Sequence, residues 1–227
     1  MAKRKSSKPV SIRSRFYIHV QVVVIVGFFM LFFGYTDKDP KFRLDLNRFL
    51  PYLFIFNSLI LIWYHRGWYL KFIIWLIFAL ITAFLYSYFT LHFPNLIGTY
   101  HFGASLKYKI GDVPLLMLCY WFIAIYTVML VTKYAKTDLL SRVTIAAVIF
   151  TLIDIVAEPV AMQLDLWRWA DKTVPIRNYI GIFVLGVIFS FFFFRLELKL
   201  KNPVVLTIFF ANFMFYLLMN FFLYGGY

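Results

Sequence analysis

The sequence predicts an all-α protein, a polytopic membrane bundle of about seven transmembrane helices. Of its 227 residues, 63% are hydrophobic and only 15% are charged, against about 45–50% and 25% in soluble domains. Apolar runs of about 20 residues, enough to cross a bilayer as a helix, recur along the chain. The loops between these runs are short. A soluble globular protein, a disordered chain and a coiled coil are therefore excluded as the leading class.

Each helix is predicted from one apolar run. The first run is too long for a signal peptide, and no small-residue cleavage pattern follows it. The fourth opens with Pro114, a residue favoured in the first turn of a helix. Pro159 lies in the fifth, where we expect it to kink or end the helix. The predicted spans are residues 16–34, 49–64, 69–93, 114–132, 140–163, 179–194 and 203–223.

The distribution of positive charge predicts the organisation and the orientation of the chain. Residues 1–15 form a basic tail, and residues 16–227 form a single integral-membrane domain. The N-terminus and the even-numbered loops carry 14 Lys and Arg residues, whereas the opposite side carries nine. Because Lys and Arg are enriched in cytoplasmic loops, we predict a prokaryotic cell-membrane protein with a cytoplasmic N-terminus. The net charge of +13 is interpreted as loop charge near anionic lipid and not as a nucleic-acid surface.

Two acidic residues on the fifth helix are the sharpest candidates for chemistry. Asp154 and Glu158 are four residues apart and therefore share one helix face. A carboxylate near the bilayer centre costs about 2.5–3.5 kcal/mol on insertion scales, so the pair should face the bundle interior. The alternatives are an ion pair with Arg168 or Arg177, or a hydrogen bond to backbone groups freed by Pro159.

Two further acids lie in the third and fifth loops, which the topology places at one membrane face. Asp112 precedes the fourth helix and is either an N-cap or a site residue. Asp165 is either a member of the same cluster or a solvated loop acid. In the fifth loop, Trp167 and Trp169 form either an interfacial aromatic belt or an aromatic wall that stabilises a cation.

The sequence shows no motif for a disulfide, a metal site or a nucleotide site. The single cysteine, Cys119, excludes an internal disulfide. The four histidines are scattered without metal-ligand spacing, so no metal site is predicted, and only His101 lies near the loop acids. No phosphate-binding or dinucleotide motif is present. We therefore expect no cofactor and no nucleic-acid partner.

Five short motifs together resemble the membrane carotenoid biosynthesis protein family, whose members include carotenoid hydratases of the bisanhydrobacterioruberin hydratase type. The resemblance extends over residues 98–189. The motifs are Gly-Thr-Tyr-x-Phe at 98–102, Gly-Asp-Val-Pro-Leu at 111–115 with Trp121, Asp-x-x-x-Glu-Pro at 154–159, Trp-x-Trp at 167–169, and Pro-x-x-Asn-x-x-Gly at 175–181.

The resemblance implies cofactor-free hydration of the terminal isopropylidene double bond of a long acyclic carotenoid. Either Asp154 or Glu158 is then the acid, and its partner orients water. Asp112 and Asp165 complete the polar pocket, and Trp121 belongs to the motifs that define the substrate site. Tyr100, Trp167 and Trp169 shield the tertiary cation. Arg177 and Asn178 tune the carboxyl groups.

Three alternatives remain open at this point. The chain could be a carotenoid-binding membrane subunit without chemistry of its own. It could be an end-group cyclase, which shares the same carbocation. A proton-coupled transporter ranks lower because no internal repeat is visible. The expected partners are the carotenoid, membrane lipid and other carotenoid enzymes.

Overall fold

A computed structural model describes residues 12–36, 40–103, 106–171 and 173–225 of the chain. These residues form seven helices and two small two-stranded sheets, which confirms the predicted all-α class. Residues 1–11, most of the predicted basic tail, lie outside the described residues. The helices are α1 (Ile12–Thr36), α2 (Pro40–Tyr64), α3 (Leu70–His92), α4 (Leu115–Thr132), α5 (Leu139–Gln163), α6 (Ile176–Arg195) and α7 (Val205–Gly225). The strands are β1 (Tyr100–Phe102), β2 (Lys109–Ile110), β3 (Val113–Pro114) and β4 (Trp167–Trp169).

Six of the described helices are long and apolar enough to cross a membrane, as expected of a multi-pass membrane protein. In helix α2, the described residues contain a further apolar segment, Tyr52–Tyr64. The helix begins nine residues before the predicted run, and the added segment contains charged residues, among them Lys41 and Arg43. The predicted orientation stays a prediction.

Helix α4 lies at the centre of the bundle. It carries no charged residue, and 13 of its 18 residues are buried, including every residue from Tyr120 to Leu130. A helix that is apolar on all sides is expected to be surrounded by other helices. It contacts α2, α3, α5, α6 and α7, so these five helices are arranged around it.

Helices α5 and α6 form the closest pair, and they run antiparallel. Gly186 of α6 packs against Ala147 of α5, and a Cβ atom at position 186 would lie 2.9 Å from the Ala147 Cα. Small residues at such crossings let two membrane helices approach closely. Nearer the other end of α5, Asn178 of α6 contacts Asp154 and Glu158. This approach therefore positions the start of α6 beside the acidic pair.

A two-stranded antiparallel sheet covers the acidic end of this helix pair. Strand β1 pairs with β4, and Tyr100 lies opposite Trp169 in the register. The Gly103 N–H donates to Leu166 O at 2.9 Å. A Cβ atom at position 103 would lie 1.6 Å from Asp165 O, so only glycine permits this approach. The sheet fixes the direction of the Trp167 and Trp169 side chains.

A short hairpin precedes α4. Strands β2 and β3 pair across a two-residue turn of Gly111 and Asp112, which have φ values of 52° and 69°. Positive φ at both central positions matches the twist of a tight hairpin. The N-cap position of α4 is Pro114, and no side chain caps the helix there. The N-cap alternative for Asp112 was therefore wrong, because the turn holds its side chain outside the helix end.

Of the two alternatives for Pro159, a kink or the end of the fifth helix, the second was wrong. Helix α5 continues to Gln163 with Pro159 inside it. Buried neighbours on both sides of the proline, such as Glu158 and Val160, pack against the bundle. Tertiary packing therefore maintains the helix, although the proline removes one backbone donor.

A buried polar network joins the helices at the opposite end of the bundle. The Tyr126 hydroxyl lies 2.6 Å from His65 Nδ1 and accepts a hydrogen bond from Asn202 Nδ2 at 2.9 Å. His65 Nε2 lies 3.2 Å from Gly67 O. Burial lowers the pKa of His65. The imidazole is therefore neutral, and both of its ring nitrogens are satisfied.

Candidate functional site

Glu158 is held by the two tryptophans of β4. The Trp167 Nε1–H donates to Glu158 Oε2 at 2.7 Å, and the Trp169 Nε1–H donates to the same oxygen at 3.0 Å. The two tryptophans are two residues apart on one strand, so their side chains lie on the same face. Their ring edges serve as hydrogen-bond donors, a role that the aromatic-wall interpretation did not include.

Asn178 links the two acidic side chains. Its Nδ2 donates to Asp154 Oδ2 at 3.1 Å and to Glu158 Oε1 at 3.3 Å. An amide nitrogen carries two hydrogens, so one is available for each carboxyl group. The Tyr86 hydroxyl donates to Asn178 Oδ1 at 3.0 Å, which fixes the orientation of the amide.

Both acids are buried without a cationic partner among the described residues. Asp154 is 7% exposed and Glu158 is 3% exposed. The two arginines considered from the sequence bind elsewhere. Arg168 Nε donates to Asp165 Oδ1 at 2.7 Å, and Arg177 Nη1 donates to Asn95 O at 3.1 Å. The ion-pair alternative was therefore wrong.

The hydrogen bonds distinguish the two carboxyl groups. Glu158 accepts three hydrogen bonds, whereas Asp154 accepts one. Donors directed at a carboxylate favour its ionised form. Two adjacent buried carboxyl groups do not both ionise readily. The geometry thus fits a pair in which Glu158 is the carboxylate and Asp154 retains a proton.

A small cavity adjoins the pair. It offers about 30 Å³ to the centre of a water molecule, and one water needs roughly 10–15 Å³ of such space. The cavity therefore has room for about two waters beside the acids. Its lining residues are Tyr86, Ser87, Thr90, Tyr100, Met117, Tyr120, Trp121, Asp154, Glu158, Trp167, Trp169, Asn178 and Ile182.

Tyr100 and Trp121, both predicted from the sequence, lie in this cavity wall. The Tyr100 ring packs at 5.0 Å from the Trp169 ring. Burial, with the nearby Glu158 as a second cause, holds the pKa of Tyr100 well above its ordinary value, so the phenol is neutral. Trp121 Nε1 donates to Ser87 Oγ at 3.0 Å.

Three predicted site residues lie outside the cavity lining. The Asp112 carboxylate is 73% exposed and lies 3.6 Å from His92 Nε2. Asp165 has φ 52° and pairs with Arg168. Arg177 is exposed at the surface. Of the four loop and helix acids, the structure brings together only Asp154 and Glu158.

Several lining residues were missed by the sequence interpretation. Tyr86, Ser87 and Thr90 of α3 share one helix face, and Thr90 and Ser87 are buried. Polar residues on one face of an apolar helix are a usable signal for an interior site. Tyr120 carried no such signal, because it lies within an aromatic run of a helix buried on all sides.

The described residues contain no group of three or more His, Cys, Asp or Glu side chains that is arranged to hold a metal ion. The donors around Glu158 and Asp154 are neutral indole and amide groups. The cluster is therefore suited to proton transfer between a carboxyl group and a bound molecule.

Comparison with known proteins identifies a family. Residues 49–226, more than three quarters of the chain, match the family described as carotenoid biosynthesis protein. Neither a curated protein nor a solved structure matches the chain. The matched region contains all residues of the cavity, and it confirms the resemblance drawn from the five motifs. The chain belongs to the carotenoid biosynthesis protein family and has a role in carotenoid biosynthesis.

Proposed function

We propose that this protein is a carotenoid hydratase. It adds water across the terminal isopropylidene double bond of a long acyclic carotenoid and produces a tertiary alcohol. The observation that carries the proposal is the buried Asp154–Glu158 pair. Its donors within the described residues are all neutral, and it adjoins a water-sized cavity with aromatic walls.

In the first step, Asp154 protonates the CH carbon of the double bond. The alkene π electrons form the new C–H bond, and the dimethyl-substituted carbon becomes a tertiary cation. A desolvated carboxylic acid is a strong enough positioned donor for this purpose. The buried rings of Tyr100, Trp121 and Trp169 offer π electron density that stabilises the cation.

In the second step, water attacks the cation. Glu158 accepts a proton from the water as the new C–O bond forms, so the product is a neutral alcohol. The three donors on Glu158 keep it ionised until that moment. Transfer of the proton from Glu158 back to Asp154 restores the starting state. The atoms of one water are added, and no oxidant or reductant is needed.

The carotenoid end group needs more space than the waters occupy. A second cavity of about 20 Å³ shares Tyr120 with the first one. The Tyr120 ring packs at 5.4 Å from the Trp167 ring. Rotation of the Tyr120 side chain would join the two cavities. We propose that the isopropylidene group binds in this joined space.

Product mass tests the proposal. The chain is expressed in cells that accumulate acyclic carotenoids of several lengths, including lycopene. Hydration adds the mass of one water, and growth in ¹⁸O-enriched water labels the new hydroxyl group. A change in chromatographic retention at unchanged mass would show cyclisation. Copurification of an unaltered carotenoid would show a binding subunit. Either result would overturn hydration.

Variants test the roles of the acids. Asp154→Asn and Glu158→Gln should each abolish product formation at wild-type expression, because each removes one proton transfer. Asp171→Asn is the matched control. Asp171 is an exposed loop acid, and its substitution makes the same carboxyl-to-amide change away from the cavity. Full activity in Asp154→Asn would refute its role as the acid.

A further inference from the structure

A larger cavity, separate from the two described above, lies at the opposite end of the α5–α6 pair. It has a volume of about 290 Å³, near the lower end of the roughly 300–1,000 Å³ typical of small-ligand sites. Arg142, near the start of α5, and Glu158, near its end, are 16 residues or about 24 Å apart along the helix. The cavity is therefore independent of the carboxyl pair. It is lined by Lys133, Arg142, Phe193, Phe194, Glu197 and Leu198.

Arg142 lines this cavity, and most of its N–H donors have no partner in the described part of the chain. One nitrogen, Nη2, donates to Thr137 O at 2.9 Å. The buried Nε has no partner among the described residues. The guanidinium lies over the Phe194 ring at 5.4 Å, which restricts its orientation. A guanidinium has five N–H donors in a fixed plane and binds phosphate oxygens in pairs.

Lys133 supplies the second positive charge. Its Nζ donates to Leu200 O, which holds the side chain toward the cavity end of α4. Burial, with the positive charge of Lys201 as a second cause, lowers the pKa of Lys133. A bound anion would relieve this repulsion between cations. The exposed Glu197 leaves a net charge of +1 among the three titratable lining residues.

We propose that this cavity binds the phosphodiester of an anionic membrane phospholipid. One phosphodiester carries one negative charge, which matches the net charge of the lining residues. The cavity lies at the ends of α4 and α6 and the start of α5, the level at which lipid headgroups meet a membrane protein. Basic pockets between transmembrane helices are recognised headgroup sites. Phe193, Phe194 and Leu198 offer an apolar surface for the glycerol and the first acyl carbons.

Lipid retention tests this site. The full chain, purified in detergent, is mixed with phosphatidylglycerol or with phosphatidylcholine of the same acyl chains, and bound lipids are counted by native mass spectrometry. Phosphatidylglycerol should be retained in preference. Arg142→Gln and Lys133→Gln should each weaken this binding roughly tenfold, the loss expected for one charge-assisted hydrogen bond. Arg142→Lys should recover part of it.

Lys136→Gln is the matched control. Lys136 is exposed in the same loop, and its substitution removes the same charge without touching the cavity. Equal losses in Lys136→Gln and Arg142→Gln would overturn the proposal, because they would show non-specific attraction. Equal retention of the two lipids by the wild-type chain would also overturn it. Binding of glycerol 3-phosphate without binding of phosphatidylglycerol would refute the lipid as the source of the phosphate.

Discussion

Replacement of either β4 tryptophan by phenylalanine separates the two roles that these residues can have. Trp167→Phe and Trp169→Phe keep an aromatic ring near the cavity and remove only the N–H that donates to Glu158. If the rings act solely by facing the cation, activity should change little. If the N–H groups keep Glu158 ionised, activity should fall.

The size of the loss follows from the geometry. Hydrogen bonds to a charged group contribute about 1.5–3 kcal/mol, and each 1.36 kcal/mol corresponds to a tenfold change in rate. Each substitution should therefore lower hydration about 10- to 150-fold. Trp167→Phe should have the larger effect, because its bond of 2.7 Å is shorter than the 3.0 Å bond of Trp169.

The assay measures the initial rate of hydrated carotenoid formation in membranes that contain equal amounts of each variant. Trp75→Phe is the control, because its indole donates at 3.0 Å to the Phe189 backbone oxygen, away from the acids. Rates of Trp167→Phe and Trp169→Phe that equal the Trp75→Phe rate would refute the argument that indole donors control Glu158.

Three further outcomes are expected. Asn178→Leu should lower hydration by at least about tenfold, because both carboxyl groups lose a donor, and a rate near wild type in the membrane assay would contradict its positioning role. Gly186→Ala should destabilise the protein by about 1–3 kcal/mol through overpacking at the α5–α6 crossing. Gly27→Ala should leave the stability unchanged, because the nearest atom to a Cβ at position 27 is 3.9 Å away. Thermal unfolding of both variants in detergent measures the difference. Since burial lowers the pKa of His65 from 6.5, the unfolded state binds more protons below about pH 6.5, and stability should fall as the pH drops through that value. His65→Gln should flatten this pH dependence of stability between pH 8 and 5. An unchanged slope would contradict the conclusion that His65 causes it.

The helices were predictable because apolar runs depend on local composition. All seven occur near their predicted positions, and the error at α2 arose where a charged segment continues an apolar helix. The pairing of Asp154 with Glu158 was also predictable, since four residues make about one turn of a helix. Asp112 shows the limit of this reasoning. Its position before a helix was compatible with a cap, but the hairpin turn directs it into solvent.

By itself, the sequence determined the membrane class, the family and the two acids on one helix face, because these features depend on composition and short spacing. Only the tertiary structure decided which side chains surround those acids. The Asn178 amide reaches both carboxyl groups because Gly186 permits a close crossing of α5 and α6. Trp167 and Trp169 reach Glu158 because β4 pairs with β1, about 67 residues earlier in the chain. Contacts between distant segments depend on packing and register, which no local pattern encodes.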